Sequence, residues 1–288
     1  MALTTSTRQL PTILTWSTRL GWATTAIATS QALETLDTGL TVALSTLLLW
    51  VIGAVAVSIG TPITLTLART ILPLGIPPSA WALVAGGSVT LSTIGLIAAL
   101  ITSYSVFTAE VGQRWVQAAA YGAERRFPLR PPLGFALPAV MLWLLVALLA
   151  SSAVVAAQRS QSWLAVALGV IGAALAGLGS TRWHRLSCRW LVLVPAGVVI
   201  HDPLVLLETA MWRSHVVSGA ELAATDTEAA DLTGPATGPA LEISLRASET
   251  VVLAAGRKTP EGRAIHLTAA LIAPSRPGAA LEALRSPR

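Results

Sequence analysis

The chain has 288 residues, of which 53% are hydrophobic and 11% charged, and its mean hydropathy is +0.68. Soluble domains carry about 25% charged residues, so this composition excludes an ordinary soluble globular protein. A disordered chain, which needs low hydrophobicity and high charge, is excluded as well. The single cysteine, Cys188, leaves no intramolecular disulfide framework and no multi-cysteine zinc or iron–sulfur centre. A membrane protein remains.

The net charge of +5 is unevenly placed. Residues 1–186 carry ten Arg against four acids, whereas residues 187–288 carry nine basic and ten acidic side chains. The basic excess lies beside apolar stretches, where lipid headgroups and the positive-inside rule account for it, so no nucleic-acid partner follows from it.

A crossing helix needs about 20 apolar residues. In chain order, residues 10–34 come first. This stretch is long enough, but it holds Arg19 and many hydroxyls. Charge at a helix centre costs about 2.5–3.5 kcal/mol on insertion scales, so 10–34 reads either as a tentative crossing or as an interfacial amphipathic helix. Four firm spans follow at 38–59, 79–105, 133–157 and 162–180, each free of Asp, Glu, Lys, Arg and His. The expected architecture is a membrane α-helical bundle of four firm spans, with 10–34 as a fifth, occupying residues 1–186. Arg114, Arg125, Arg126 and Arg130 in the link 106–132, with Arg182, Arg185 and Arg189, lie on one side. Arg69 and Arg159 fall opposite, joined by Arg8 if 10–34 crosses. This imbalance places the link and everything after 186 in the cytoplasm, beneath the plasma (inner) membrane of a bacterium.

The spans offer little transport chemistry. Ser92, Thr93, Ser151 and Ser152 can each bond a carbonyl one turn back in their own helix. Gly86-Gly87 is the one place where a helix break would free carbonyls for an ion, and it marks the alternative reading as a small-molecule or lipid transporter. Ala165, Gly169, Ala173 and Gly177 form a small-residue stripe on the last span. Such a stripe serves close packing within the chain, self-association, or docking of a partner's helix.

Residues 121–132 read YGAERRFPLRPP. Tyr121, Glu124, Arg125, Arg126 and Arg130 are the candidate lipid- or partner-contact residues. Each Arg is worth about 1 kcal/mol against an anionic headgroup near the surface, or forks onto a carboxylate. Topology-setting charge is the plainer reading. Pro128, Pro131 and Pro132 stiffen the run. With PITLTLARTILPL before it and WLVLVPAGVVIHDPLVL after it, the stretch AYGAERRFPLRPP resembles an uncharacterised family of multi-pass membrane proteins from GC-rich bacteria. The resemblance implies architecture and brings no activity.

From 187 to 288 the pattern changes to short strands. Trp190–Val194 and Val198–His201 flank the turn signal Pro195-Ala196-Gly197. A second strand pair is expected in 204–217. Leu241, Ile243 and Leu245 alternate with polar residues as a half-buried strand should. Val251–Ala255 and Ala264–Ala273 are expected on either side of the link GRKTPEGR. Pro277 suits the start of a terminal helix whose Leu281 and Leu284 face the sheet. Residues 223–240, poor in bulky apolar groups, read as a mobile loop. A small α+β domain is therefore expected. Its order of strands and closing helix resembles the barrels of bacterial pleckstrin-homology-like domains, a fold used widely for binding and scaffolding.

Catalytic signals are sparse. His184 and Cys188 are spaced to share a helix face, too few ligands for structural zinc and without an orienting third group. His201-Asp202-Pro203 reads as a strand ending in a turn, with Asp202 bonding local backbone. His215 and His266 fall in strand patterns. The chain holds no Walker loop, Gly-x-Gly-x-x-Gly, Gly-x-Ser-x-Gly or His-Glu-x-x-His motif. The expectation is a non-enzymatic scaffold, regulatory or accessory subunit in the lipid bilayer, with no cofactor or metal.

Overall fold

Prolines and capping residues set the helix ends of the N-terminal part. The computed structural model describes residues 3–36, 38–254 and 261–286, with the side chains of 3–9, Arg8 among them, outside the described residues. The chain forms two units, Met1–Trp115 with Ala139–Trp183, and Val116–Pro138 with His184–Arg288. The first contains α1 (Leu3–Glu34), α2 (Gly39–Ser58), α3 (Pro62–Ile71), a 3-10 turn (Leu72–Gly75), α4 (Ile76–Val84) and α5 (Val89–Phe107). To it also belong most of α6 (Ala109–Gln117), α7 (Leu133–Gln158) and α8 (Ser162–Ser187). Among the described residues five helical segments are long and apolar enough to cross a membrane: Gly39–Ser58, Pro62–Val84, Val89–Phe107, Leu133–Gln158 and Ser162–Ser187.

Two of these correct the sequence reading. The expected single span 79–105 is divided, because α4 ends at Gly86, whose φ of +89° only glycine adopts without strain. Gly87 N–H then returns to Ala82 O at 3.0 Å, a helix-terminating bond. The span 62–84 was hidden in the sequence by Arg69, Pro73, Pro77 and Pro78. Thr61 starts it by a reciprocal cap with Thr64, with Pro62 following. Pro73, lacking an N–H, falls in the 3-10 turn, and Pro77 and Pro78 occupy the first turn of α4, where helical donors go unused anyway.

α1 runs antiparallel along the whole of α5. Ser17 meets Ser105 (3.5 Å), Gly21 faces Thr102, Thr29 faces Gly95, and Ala32 O lies 3.0 Å from a Cβ placed on Gly87. Its buried face is Thr15, Thr18, Trp22, Thr25, Thr29 and Ala32, at helical spacing. Thr15, Thr18 and Thr25 bond their own helix, Thr18 to Leu14 O and Thr25 to Gly21 O, both at 2.8 Å, whereas Thr29 Oγ1 meets Ser79 Oγ of α4 at 2.7 Å. The polar composition that obscured residues 10–34 is thus the composition of a helix facing other helices. Trp22 packs edge-on against Trp50 of α2 at 5.2 Å and donates to its carbonyl at 3.2 Å.

One end of this unit collects the cations. Arg19 Nε donates to Val57 O (2.9 Å), Arg69 Nε to Val106 O (3.3 Å) and Arg114 Nη1 to Thr12 Oγ1 (2.6 Å). Arg69, expected opposite the 106–132 link, therefore lies at the end where α5 finishes. The extra span 62–84 reverses the count of crossings before it.

The second unit holds β1 (Arg125–Pro128), β2 (Trp190–Val194), β3 (Gly197–His201), β4 (Ala210–Arg213), β5 (Val217–Leu222), β6 (Ala230–Asp231), β7 (Leu241–Leu253), β8 (Arg263–Ile272) and α9 (Pro277–Arg285). They form two four-stranded sheets, β1-β2-β3-β4 and β5-β7-β8-β6. Both sheets and α9 share one core, with Phe127, Leu191, Ile200, Trp212, Leu241 and Ile272 at its centre. The sheets are joined by single bridges, Leu129 to Pro274 and Leu206 to Leu253, and the resembled closed barrel is not formed.

The expected hairpin at 190–201 and the alternation at 241–245 appear as β2–β3 and the first half of β7. Residues 204–217 supply β4 and only the first residue of β5 in place of a strand pair; Leu206 N–H bonds Asp202 O (2.9 Å) and turns the chain ahead of β4. The stretch 223–240, read as a mobile loop, contributes β6 and buries Leu232, whose N–H bonds Leu271 O at 3.1 Å. Ala255, the end of the expected strand 251–255, and residues 256–260 of the expected polar link lie outside the described residues.

Candidate functional site

The basic run 121–132 is built into the sheet-rich unit. Arg125–Pro128 pair with Leu193–Trp190 as the edge strand β1, and Phe127 is 4% exposed. Strand alternation then decides what each candidate side chain does. Arg126 forks onto Glu124 Oε2, from Nε at 3.0 Å and Nη2 at 2.8 Å, and lies over the Trp190 ring at 5.1 Å. Gln117 clasps the same turn, donating to Glu124 O and accepting from Arg126 N–H, both at 2.8 Å. The bonds from Arg126 and from Tyr121 N–H hold the Glu124 carboxyl below its ordinary range. Arg130 donates to Pro239 O and its own N–H bonds Ala273 O.

Three of the five candidate contact residues, Glu124, Arg126 and Arg130, are therefore committed inside the unit. Tyr121, 86% exposed, and Arg125, exposed at the strand edge with its guanidinium 5.9 Å from the Phe127 ring, remain presented outward.

The sequence did not reveal the polar centre of this unit. Arg189, 1% exposed, meets Asp202 with two bonds, Nε to Oδ1 at 2.8 Å and Nη2 to Oδ2 at 2.6 Å. The same guanidinium donates to Thr233 O (3.1 Å) and to Arg130 O. One buried fork thus ties β1's continuation, the start of β2, the turn after β3 and the segment after β6. Asp202 also accepts from Leu204 N–H at 3.1 Å, the local turn bond its sequence context predicted. Nothing in the spacing signalled its partner, which is brought opposite by the β2–β3 hairpin.

Cys188 Sγ lies 3.3 Å from His184 Nε2. Burial pushes the thiol above its ordinary value, opposite to what an activated nucleophile needs. Among the described residues no third His, Cys, Asp or Glu joins them. His201 stacks on Trp190 at 5.4 Å and bonds Thr209 Oγ1 at 3.1 Å, and burial pushes its imidazole down.

In the helical unit, the break between α3 and α4 has used its carbonyls: Thr70 O accepts from Trp143 Nε1 and Gly75 O from Ser79 Oγ, each at 2.8 Å. A Cβ on Gly87 would meet Ala82 O at 2.8 Å, so that glycine permits close packing. The four residues of the small-residue stripe divide from the glycines that do pack. A Cβ added at Gly172 or Gly179 would lie 3.4 Å from Leu149 or 3.0 Å from Leu142 of α7, and Trp183 Nε1 bonds Ala139 O at 3.0 Å. Gly169 and Gly177 have nothing within 4 Å of an added Cβ, and Ala173 beside them is exposed while Ala165 is half-buried. Comparison with protein-family models, curated proteins and solved structures finds no match to this chain.

Proposed function

We propose that the protein is a multi-pass plasma-membrane protein of a bacterium that acts by contact, as a scaffold, regulatory or accessory subunit without enzymatic activity. In this reading α1 crosses with the five apolar segments, supported by its packing along the full length of α5. The end carrying Arg19, Arg69 and Arg114 is then cytoplasmic, and Arg159 alone among the arginines of the helical unit marks the other side. The sheet-rich unit is cytoplasmic with the same charge bias, and its two sheets with a closing helix serve as a pleckstrin-homology-like binding scaffold.

The observation that carries the reading is the sparse internal packing of the last two spans. Only 17% of the α7 window and 11% of the α8 window is buried, against 39% for α5. Helices in lipid associate through close backbone approach, and α8 presents Ala173 and Gly177 outward beside the half-buried Gly169, with nothing within 4 Å of a Cβ added at either glycine. The partner is a transmembrane helix of another membrane protein or of a second copy.

Cross-linking and mild-detergent co-purification from native membranes test this, with wild type beside Gly169→Leu/Gly177→Leu. Those side chains have room in the isolated chain, so folding is expected to persist. Loss of a stoichiometric partner from the variant supports the reading. A wild-type protein that purifies alone, or a partner retained by the variant, overturns it.

A further inference from the structure

Between α1 and α2 runs an apolar groove of about 560 Å³, within the roughly 300–1,000 Å³ of ordinary ligand sites. Its base is the buried pair Trp22 and Trp50, and the small, more exposed Ala23, Ala26 and Ala54 with Val51 complete its lining. The alanines leave the groove open; the two tryptophans, locked edge to face at 5.2 Å, keep its shape fixed.

At one end stands Arg19. Its Nε and Nη2 donate to Val57 O (2.9 Å) and Ser58 O (3.2 Å), the last carbonyls of α2, which places the guanidinium at the end of a span. Trp16, 52% exposed, stacks beside it at 5.3 Å, the kind of aromatic found at a membrane–water boundary. Among the described residues no carboxylate pairs with Arg19, and its Nη1 has no protein acceptor. The site therefore offers an apolar trough along two crossing helices, headed by a half-buried cation whose counter-charge the described residues do not supply.

We infer that this groove is a binding site for one anionic phospholipid, with an acyl chain along Ala23, Ala26 and Ala54 and the phosphate on Arg19. The occupant follows from the two chemistries present together. An acyl chain matches the trough, and a headgroup of net negative charge pairs with the guanidinium better than a zwitterionic one, whose phosphate is offset by its own ammonium. The inference needs only that the helical unit sits in a bilayer; it is independent of the partner proposed for α8.

Native mass spectrometry of the full chain, released from detergent after addition of phosphatidylglycerol or of phosphatidylethanolamine with identical acyl chains, tests it. Wild type is expected to retain one phosphatidylglycerol and to prefer it over phosphatidylethanolamine. Arg19→Gln is expected to weaken phosphatidylglycerol retention about fivefold, the worth of one cationic contact near a membrane surface. Arg19→Lys should keep the preference, and Arg159→Gln, at the other end, should leave it intact. Ala54→Phe, which fills the trough without touching the charge, should reduce retention of both lipids. Equal retention of the two lipids by wild type, or unchanged phosphatidylglycerol binding in Arg19→Gln or in Ala54→Phe, overturns the assignment.

Discussion

Asp202→Ala isolates the cost of the buried fork. The change leaves Arg189 charged at 1% exposure, keeping its carbonyl contacts to Thr233 and Arg130 but losing both carboxylate bonds. Stranding one member of a buried ion pair costs about 3–5 kcal/mol. At 1.36 kcal/mol per decade this is about two to nearly four decades in the opening equilibrium. The assay is hydrogen exchange on the full chain in detergent, read on β2 and β3 amides such as Leu191 and Ile200, which pair across the hairpin and exchange only when the sheet-rich unit opens. Their protection factors are expected to fall by at least a hundredfold, while amides of α5 in the other unit stay unchanged. The double variant Arg189→Met/Asp202→Leu removes both charges and should recover at least half of the lost decades, the remainder reflecting two carbonyls without donors. A fall of less than tenfold in the single variant, or a double variant no better than the single, would refute the argument.

Two further outcomes follow from local geometry. A Cβ on Gly53 of α2 would run into the Trp22 indole, so Gly53→Val should lower stability in detergent by about 1–3 kcal/mol, the usual cost of overpacking, visible as earlier thermal aggregation; unchanged thermal behaviour would show that α1 and α2 do not pack as described. The His201 imidazole is held below its ordinary value first by burial and secondarily by Arg126, with Asp202 opposing. The unfolded chain then takes up the proton first as pH falls, so the contribution is full above about 6.5 and is lost as pH drops through the lower folded value. Protection factors of β2 and β3 should decline over that interval in wild type and less in His201→Gln; parallel declines would exclude His201 as the cause.

The helices were legible where composition alone decides and illegible where packing does. Residues 39–58, 133–158 and 162–187 announce themselves because they face mostly outward and must be apolar all round. α1 hides because its buried stripe is Thr15, Thr18, Thr25 and Thr29; the first three bond their own helix, Thr29 meets Ser79 of α4, and α5 approaches this face at Gly95. The span 62–84 hides for a different reason. A hydropathy reading penalises Arg69 and three prolines, yet Arg69 reaches a carbonyl at the end of α5 and the prolines fall where helical donors are spare. Missing it also inverted the side assigned to Arg69, since each uncounted span reverses everything before it.

The internal bonds of residues 121–132 were hidden for a related reason. Charge, aromatics and proline in a link between two spans look like a surface for lipid, because sequence places them next to the membrane and far from residue 190. The decisive fact is long-range: Arg125–Pro128 pair with Leu193–Trp190, and pairing forces alternate side chains onto opposite faces. Once Phe127 faces the core, Arg126 must lie on the other face, over Trp190, where Glu124 is within reach. The same logic makes Arg189 internal although it follows a span, where Arg is expected for topology alone. Only an acid brought opposite by the β2–β3 hairpin makes its burial tolerable. Local chemistry at Asp202 foretold its turn bond to Leu204, because that partner is two residues away. Every partner more than a hairpin distant had to be supplied by the fold, which is why the outward-facing residues of the run, Tyr121 and Arg125, could be identified only by subtraction.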